Sequence, residues 1–304
     1  FGIMRRGGHV VSTRLEHNSV LRPIAHCEEE FGATSTLVPF DGQGYVDPED
    51  VRKAIRPDTK LVVVNHGSNV IGTVQAVGDI GAVCREAGVT FCIDAAQTAG
   101  MVPIDMQAMN IDIVAFTGHK SLMGPMGVGG LCVAEGVEIP HSRAGGTGVK
   151  SAQVMHLDEY PYRLEFGTPN MMGIAGLSNG VEWIAQQGGV EAIHAEEMRL
   201  ARILWEGIHD VDGVKLYCCA QSMDRPRTPV FSLNFENMDT AQAGSRLDVD
   251  YAVACRTGLQ CAPLVHEDIG SAPHGTVRFS IGPLTTEANV RAGVAAVQEL
   301  AAEG

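Results

Sequence analysis

Lysine is scarce in this chain: 304 residues carry only five, at positions 53, 60, 120, 150 and 215. Acidic residues outnumber basic ones by 36 to 22, giving a formal charge of −14. That excess argues against nucleic acid or an anionic membrane as a main partner, because both reward clustered Lys and Arg. No apolar run approaches the roughly 18 residues that a membrane span needs. None follows Arg5 and Arg6 either, so the first residues do not read as a secretory signal. The eight cysteines include no C-x-x-C pair of the kind a zinc site uses, so no metal is expected. Their spacing is not that of a small disulfide scaffold, and reduced thiols in the cytoplasm are the expectation. What remains is an ordinary globular composition, 45% hydrophobic and 19% charged. It is long enough for one large domain or two smaller ones.

Short apolar runs at 61–64, 89–93, 111–116 and 128–134 end at Asn, Asp, Thr or just past Ala134. Such runs, rich in β-branched residues and bounded by Gly, Asp and Asn, predict strands buried on both faces of a parallel sheet. Between the first two, apolar residues at Val77, Ile80, Gly81, Val83 and Cys84 have helical spacing, and Gly88 is the expected C-cap. Strand, helix, strand is a βαβ unit, so the first part is α/β. In such sheets ligands sit beyond the carboxyl ends of the strands. Asn69, Asp94 and Lys120 all fall just after such ends, which predicts one shared site. Further on, long helical patterns at 174–186 and 191–209 precede short strand candidates at 214–217, 230–235 and 276–281 and a last helix at about 285–302. This predicts a large domain over 1–190 and a smaller α+β domain over 191–304. The Gly-rich segments 118–130 and 145–148 read as site loops.

Lys120 follows the buried run 111–116 within Thr117-Gly118-His119-Lys120. A lysine there is partly desolvated, which lowers its pKa and frees its amine for imine formation. Pyridoxal 5′-phosphate (PLP) is the cofactor that uses such an amine, and it needs a carboxylate at its ring nitrogen, donors for its phosphate and a flat group over its ring. Asp94 suits the nitrogen, and Gln97 or Asn69 the phenolic oxygen. Thr117 and His119 flank the lysine near the phosphate, and His17 suits the ring face. Cys84, Cys92 and Cys132 lie in apolar runs and read as core residues, and Cys27 as lying on a helix face.

The series Glu16-His17-Asn18-Ser19, Ser68-Asn69-Val70-Ile71-Gly72, Asp94-Ala95-Ala96-Gln97 and Gly118-His119-Lys120 resembles the class V aminotransferase family. Within it the chain looks most like the cysteine desulfurases and selenocysteine lyases. The resemblance implies the PLP-dependent transferase (aspartate aminotransferase-like) fold, with a mainly parallel large domain and a small α+β domain. Glu165-Phe166-Gly167-Thr168-Pro169-Asn170 is similar to a segment that places a threonine on the phosphate of the neighbouring subunit's cofactor, so Thr168 implies a homodimer.

Arg256-Thr257-Gly258-Leu259-Gln260-Cys261-Ala262-Pro263 resembles the loop that carries the nucleophilic cysteine in desulfurases. The resemblance then implies that L-cysteine displaces Lys120 from the cofactor and that the Cys261 thiolate takes the substrate's sulfur as a persulfide. Alanine leaves after Lys120 or His17 returns a proton, and an acceptor protein receives the sulfur. Arg278, in Gly275-Thr276-Val277-Arg278, matches the family's clamp on the substrate carboxylate, a task that suits a bidentate guanidinium; Arg256 is the second substrate-side candidate. The family normally begins with about 80 more residues, including a helix N-terminus that binds the phosphate, and the opening at Phe1 resembles the middle of its cofactor domain. Between Lys120 and Gly124, Ser-Leu-Met adds a residue to the common pattern. Two alternatives stay open: another class V reaction, such as transamination, selenocysteine cleavage or epimerisation, and a non-catalytic chain lacking part of the cofactor domain.

Overall fold

The structure, a computed structural model, describes residues 1–219 and 221–303. It contains two sheets. The larger has six strands in the order β2-β1-β3-β4-β5-β6: β1 (Gly8–Thr13), β2 (Ala33–Val38), β3 (Thr59–Asn65), β4 (Thr90–Asp94), β5 (Ile113–Thr117) and β6 (Gly129–Val133). All neighbours are parallel except β5 and β6, which run antiparallel. The strands expected near 61–64, 89–93 and 111–116 are present and the sheet is mainly parallel, as the α/β reading required.

The fourth run differs from expectation. β6 is an antiparallel edge strand with three of its five residues exposed, so it is not buried on both faces. Cys132 on it is exposed rather than part of the core. An apolar composition reports that a strand has surface to bury and does not report whether anything covers it. Cys84 and Cys27 are buried, the latter on helix α1 (Asn18–Phe31).

After α2 (Pro48–Ala54), helix α3 (Val77–Ala87) links β3 to β4 and buries Val77, Ile80, Gly81, Val83 and Cys84, the face its periodicity predicted. Gly88 caps it at φ 65°, where a glycine meets no Cβ penalty. This face packs on Val62, Val64, Phe91 and Ile93 of the sheet, and each such side chain contributes roughly 1.5–3 kcal/mol on full burial.

Helices α4 (Met171–Gln186) and α5 (Gly189–Ile208) lead to the second sheet, ordered β7-β8-β10-β9 and antiparallel throughout. Its strands are β7 (Val214–Leu216), β8 (Val230–Phe235), β9 (Arg256–Gly258) and β10 (Thr276–Ser280), and its core joins Phe231, Leu233 and Val277 to Leu200 and Leu204 of α5 and Val297 of the last helix, α8 (Glu287–Ala302). The two sheets are tied at the loop after β3: Ser232 Oγ donates to Val70 O (2.6 Å), and buried Arg227 donates to Ile71 O (3.0 Å). No helix among the described residues is long and apolar enough to cross a membrane.

Candidate active site

The strand order reverses between β1 and β3. Chain leaving their carboxyl ends diverges there, which is the usual position of a ligand crevice in an open α/β sheet. The loop after β1 brings Glu16 and His17 to it, and the loop after β3 brings Asn69. The parallel register pairs Asn65 with Asp94, and Asp94 with Ala115, so Asp94 stands beside these loops. Lys120 lies on the turn that follows β5.

Lys120 is half-buried and forms no ion pair among the described residues. Burial pushes its amine below the ordinary lysine value; Asp94 opposes that shift, the guanidinium groups of Arg278 and Arg256 add to it, and Cys261 opposes it. Asp94, Arg278, Arg256 and Cys261 thus all act on the charge of Lys120. His17 is also lowered, first by burial and then by Lys120. It caps α1, its Nδ1 accepting from Ser19 N at 3.0 Å, which assigns the ring proton to Nε2. Ser19 Oγ donates to Asp94 Oδ2 at 3.5 Å, and Asp94 Oδ1 accepts from Ala96 N at 2.9 Å.

Asn69 is buried, and its amide does something the sequence did not indicate. Nδ2 donates to the backbone oxygen of Gln260 at 2.7 Å, while Oδ1 is buried without a partner. Its own backbone oxygen accepts from Arg278 Nη1 at 2.8 Å. Arg278 has no carboxylate partner among the described residues, and its Nε is buried and unbonded. A half-buried guanidinium in that state is suited to an anion. Cys261 precedes helix α7 (Pro263–Asp268) and is only partly buried, with Arg256 Nη2 at 3.6 Å from its sulfur. Arg256 therefore places a fixed positive charge against the thiol.

The remaining expected residues are less engaged. Gln97 lies on the turn after Asp94, partly buried. Thr117 Oγ1 and the exposed His119 Nδ1 are 2.8 Å apart. Thr168 is exposed, in a surface segment with Phe166, Met171 and Met172.

Glu16, Asn18, Ser19 and Gln260 were not singled out as site residues from sequence, although all four stand in recognised motifs. Glu16 is fully buried; its Oε1 accepts from Thr13 Oγ1 (2.7 Å) and Asn65 N (2.9 Å), while Oε2 has no partner. Burial pushes its carboxyl up to about 8, against those hydrogen bonds, and the charge of Asp94 adds to the rise. A carboxyl directly after a strand was the available signal. The folded chain thus holds a proton here that the unfolded chain gives up above the ordinary value of 4.5. Stability from this group is full below that value and declines as pH rises towards about 8, by up to about 1.4 kcal/mol per pH unit. Glu16→Gln keeps an acceptor for Thr13 and Asn65 without the titration. Its melting temperature is expected to gain on the parent's as pH rises from about 5 to about 8; parallel curves in thermal denaturation would mean that Glu16 is ionised throughout.

A mainly parallel sheet, a smaller antiparallel sheet and a lysine just beyond the carboxyl end of β5 define the fold of the PLP-dependent transferases. The profile of the aminotransferase class-V family matches residues 2–292. A probable cysteine desulfurase from Methanothermobacter thermautotrophicus is 31% identical over 99% of this chain and 75% of its own length. An apo cysteine desulfurase structure from Thermococcus onnurineus superposes with a TM-score of 0.89 at 29% identity, covering 100% of this chain and 76% of that one. The cysteine desulfurase CsdA from Escherichia coli, solved in an S-sulfonic acid form, gives 0.85 at 26% identity over 98% of this chain and 73% of that one. The chain belongs to the class-V aminotransferase family, within its cysteine desulfurase group.

Proposed function

We propose that this chain is a PLP-dependent cysteine desulfurase that converts L-cysteine to L-alanine and retains the sulfur on Cys261. The observation that carries the reading is the grouping of Lys120, Asp94, Arg278 and the Arg256–Cys261 pair in one electrostatic environment. The residues fit the cofactor. Lys120 offers an amine without a counter-ion for covalent attachment, and Asp94 offers a carboxylate for the ring nitrogen. Asn69 Nδ2 has a second hydrogen beyond the one given to Gln260, and Thr117 and His119 would supply phosphate donors. Gln97 would be a second donor for the phenolic oxygen, and His17 would lie over the ring. When bound, PLP supplies an electron sink for the substrate's carbon skeleton.

The chain's own groups supply the rest. Arg278 binds the substrate carboxylate, and Arg256 steadies negative charge on the Cys261 sulfur. That sulfur forms a bond to the substrate's sulfur as the substrate's Cβ–S bond breaks, with the electron pair kept by carbon. Carbon then takes a proton from Lys120 Nζ or His17 Nε2, giving alanine and a Cys261 persulfide. An acceptor protein removes the outer sulfur.

We assign the domain boundary to the turn between α4 and α5, close to residue 190. Exposed apolar residues at Met126, Met155, Phe166, Met171 and Met172 support a homodimer in which Thr168 serves the phosphate of the neighbouring copy's cofactor. Eight free cysteines support a reducing, cytoplasmic setting. The direct test is product analysis of the purified chain with added PLP and L-cysteine, with alanine and bound sulfur expected in equal amounts. A keto acid in place of alanine would indicate transamination, turnover confined to selenocysteine would indicate a lyase, and no product at all would favour a non-catalytic role.

A further inference from the structure

Cys261 and the residue before it both adopt left-handed backbone conformations, at φ 62° and 42°. Neither is glycine, and non-glycine residues persist in that region when their surroundings over-determine them. Gln260 supplies most of that constraint. Its side chain is 2% exposed, and its Nε2 donates to Thr276 O at 2.9 Å and Arg256 O at 3.4 Å. Its Oε1 accepts from Thr276 Oγ1 at 3.3 Å, and its backbone oxygen accepts from Asn69 Nδ2. The following carbonyl, that of Cys261, accepts from Asn18 N at 2.8 Å. The thiol's backbone is thus tied to the small sheet, to the loop after β3 and to the first turn of α1.

These ties meet the rest of the site. Asn18 follows His17, Asn69 carries Arg278 on its backbone oxygen, and Arg256 both accepts from Gln260 and donates to the Cys261 sulfur. No other buried side chain reaches both β10 and the base of the Cys261 turn in this way among the described residues. We propose that Gln260 is the positioning residue of the reaction: its buried amide fixes the left-handed turn that aims the Cys261 thiol at the crevice. The proposal rests on the desulfurase reading for its kinetic consequence, but its geometric consequence stands apart from it.

Gln260→Met separates hydrogen bonding from packing, because methionine has a similar volume and no amide. In the full chain with PLP, kcat for alanine formation is expected to fall about 10²-fold, the scale of a reacting group misplaced by about 1 Å. KM for cysteine is expected to stay within about twofold, since Arg278 is untouched. The rate at which iodoacetamide labels Cys261, followed by peptide mass spectrometry, is expected to change about tenfold while the absorbance of bound PLP stays the same. A Gln260→Met protein with parental kcat and parental Cys261 labelling would overturn the proposal. If the parent makes no alanine, the desulfurase reading fails, yet the labelling comparison still decides the role of Gln260. Should the methionine variant not fold, Thr276→Val removes one bond to the same amide and is expected to lower kcat roughly three- to tenfold. An unchanged kcat and labelling rate in that folded variant would count equally against it.

Discussion

Lys120→Ala is expected to abolish the absorbance that added PLP acquires on bonding to the protein and to lower alanine formation by roughly 10⁴-fold or more. The other four lysines explain why the effect should be so large. Lys53 is exposed and paired with Asp50 at 2.8 Å, and Lys150 is paired with Glu159 at 2.6 Å. Lys60 donates to Gly7 O at 2.7 Å, and Lys215 stands 4.7 Å over the Tyr217 ring. Each of those ammonium groups already has an acceptor, a counter-charge or a π-face beside it. Lys120 is half-buried with its amine pushed down by desolvation and by two arginines, so more of it is neutral at a given pH, and only the neutral amine attacks a carbonyl. Lys120→Arg should fail in the same way, since it keeps the charge and forms no imine. An unchanged spectrum in Lys120→Ala, with a different lysine labelled after borohydride reduction, would remove the assignment.

The parts of this site that sequence revealed are those that chemistry ties to a strand end. Asn69, Asp94 and Lys120 each follow an apolar run, and the crevice lies where those runs stop. Strands β1 and β2 were harder to read. β1 buries His9, Ser12 and Thr13 among its valines, with His9 satisfied by Thr59 at 2.8 Å and Thr36 at 2.9 Å. A strand whose polar groups are all paired internally has no continuous apolar run. Helix α6 (Thr240–Tyr251) buries only Thr240, Ala243 and Leu247, too narrow a face for periodicity to reveal. The reverse error arose at β6, where an apolar run is a sheet edge. Gln260 was illegible for a further reason: its partners Thr276 and Asn69 lie 16 and 191 residues away, and only the folded chain brings them together.

Cys261→Ala is expected to leave the PLP absorbance intact while sulfur transfer falls by roughly 10³-fold or more. The argument is one of elimination among eight thiols. Burial pushes Cys84, Cys92 and Cys218 up to about 12 and raises Cys27, Cys219 and Cys255 as well. At neutral pH those sulfurs are protonated and poor nucleophiles. Cys132 is exposed, but it sits on the edge strand β6 and forms no contact with Arg256 or Arg278. Cys261 combines partial exposure, a guanidinium at 3.6 Å and Coulombic contact with Lys120. Alanine fills its place with little change to the turn, because the anchors run through Gln260 and the Cys261 carbonyl rather than the sulfur. Cys261→Ser should be as inactive, since a hydroxyl there cannot hold a persulfide. The check is mass spectrometry of the parent after L-cysteine, where the Cys261 peptide should gain one sulfur atom, alongside sulfide release by the two variants. Sulfide release at the parental rate from Cys261→Ala would make this thiol incidental, leaving PLP chemistry at Lys120 of another class V type.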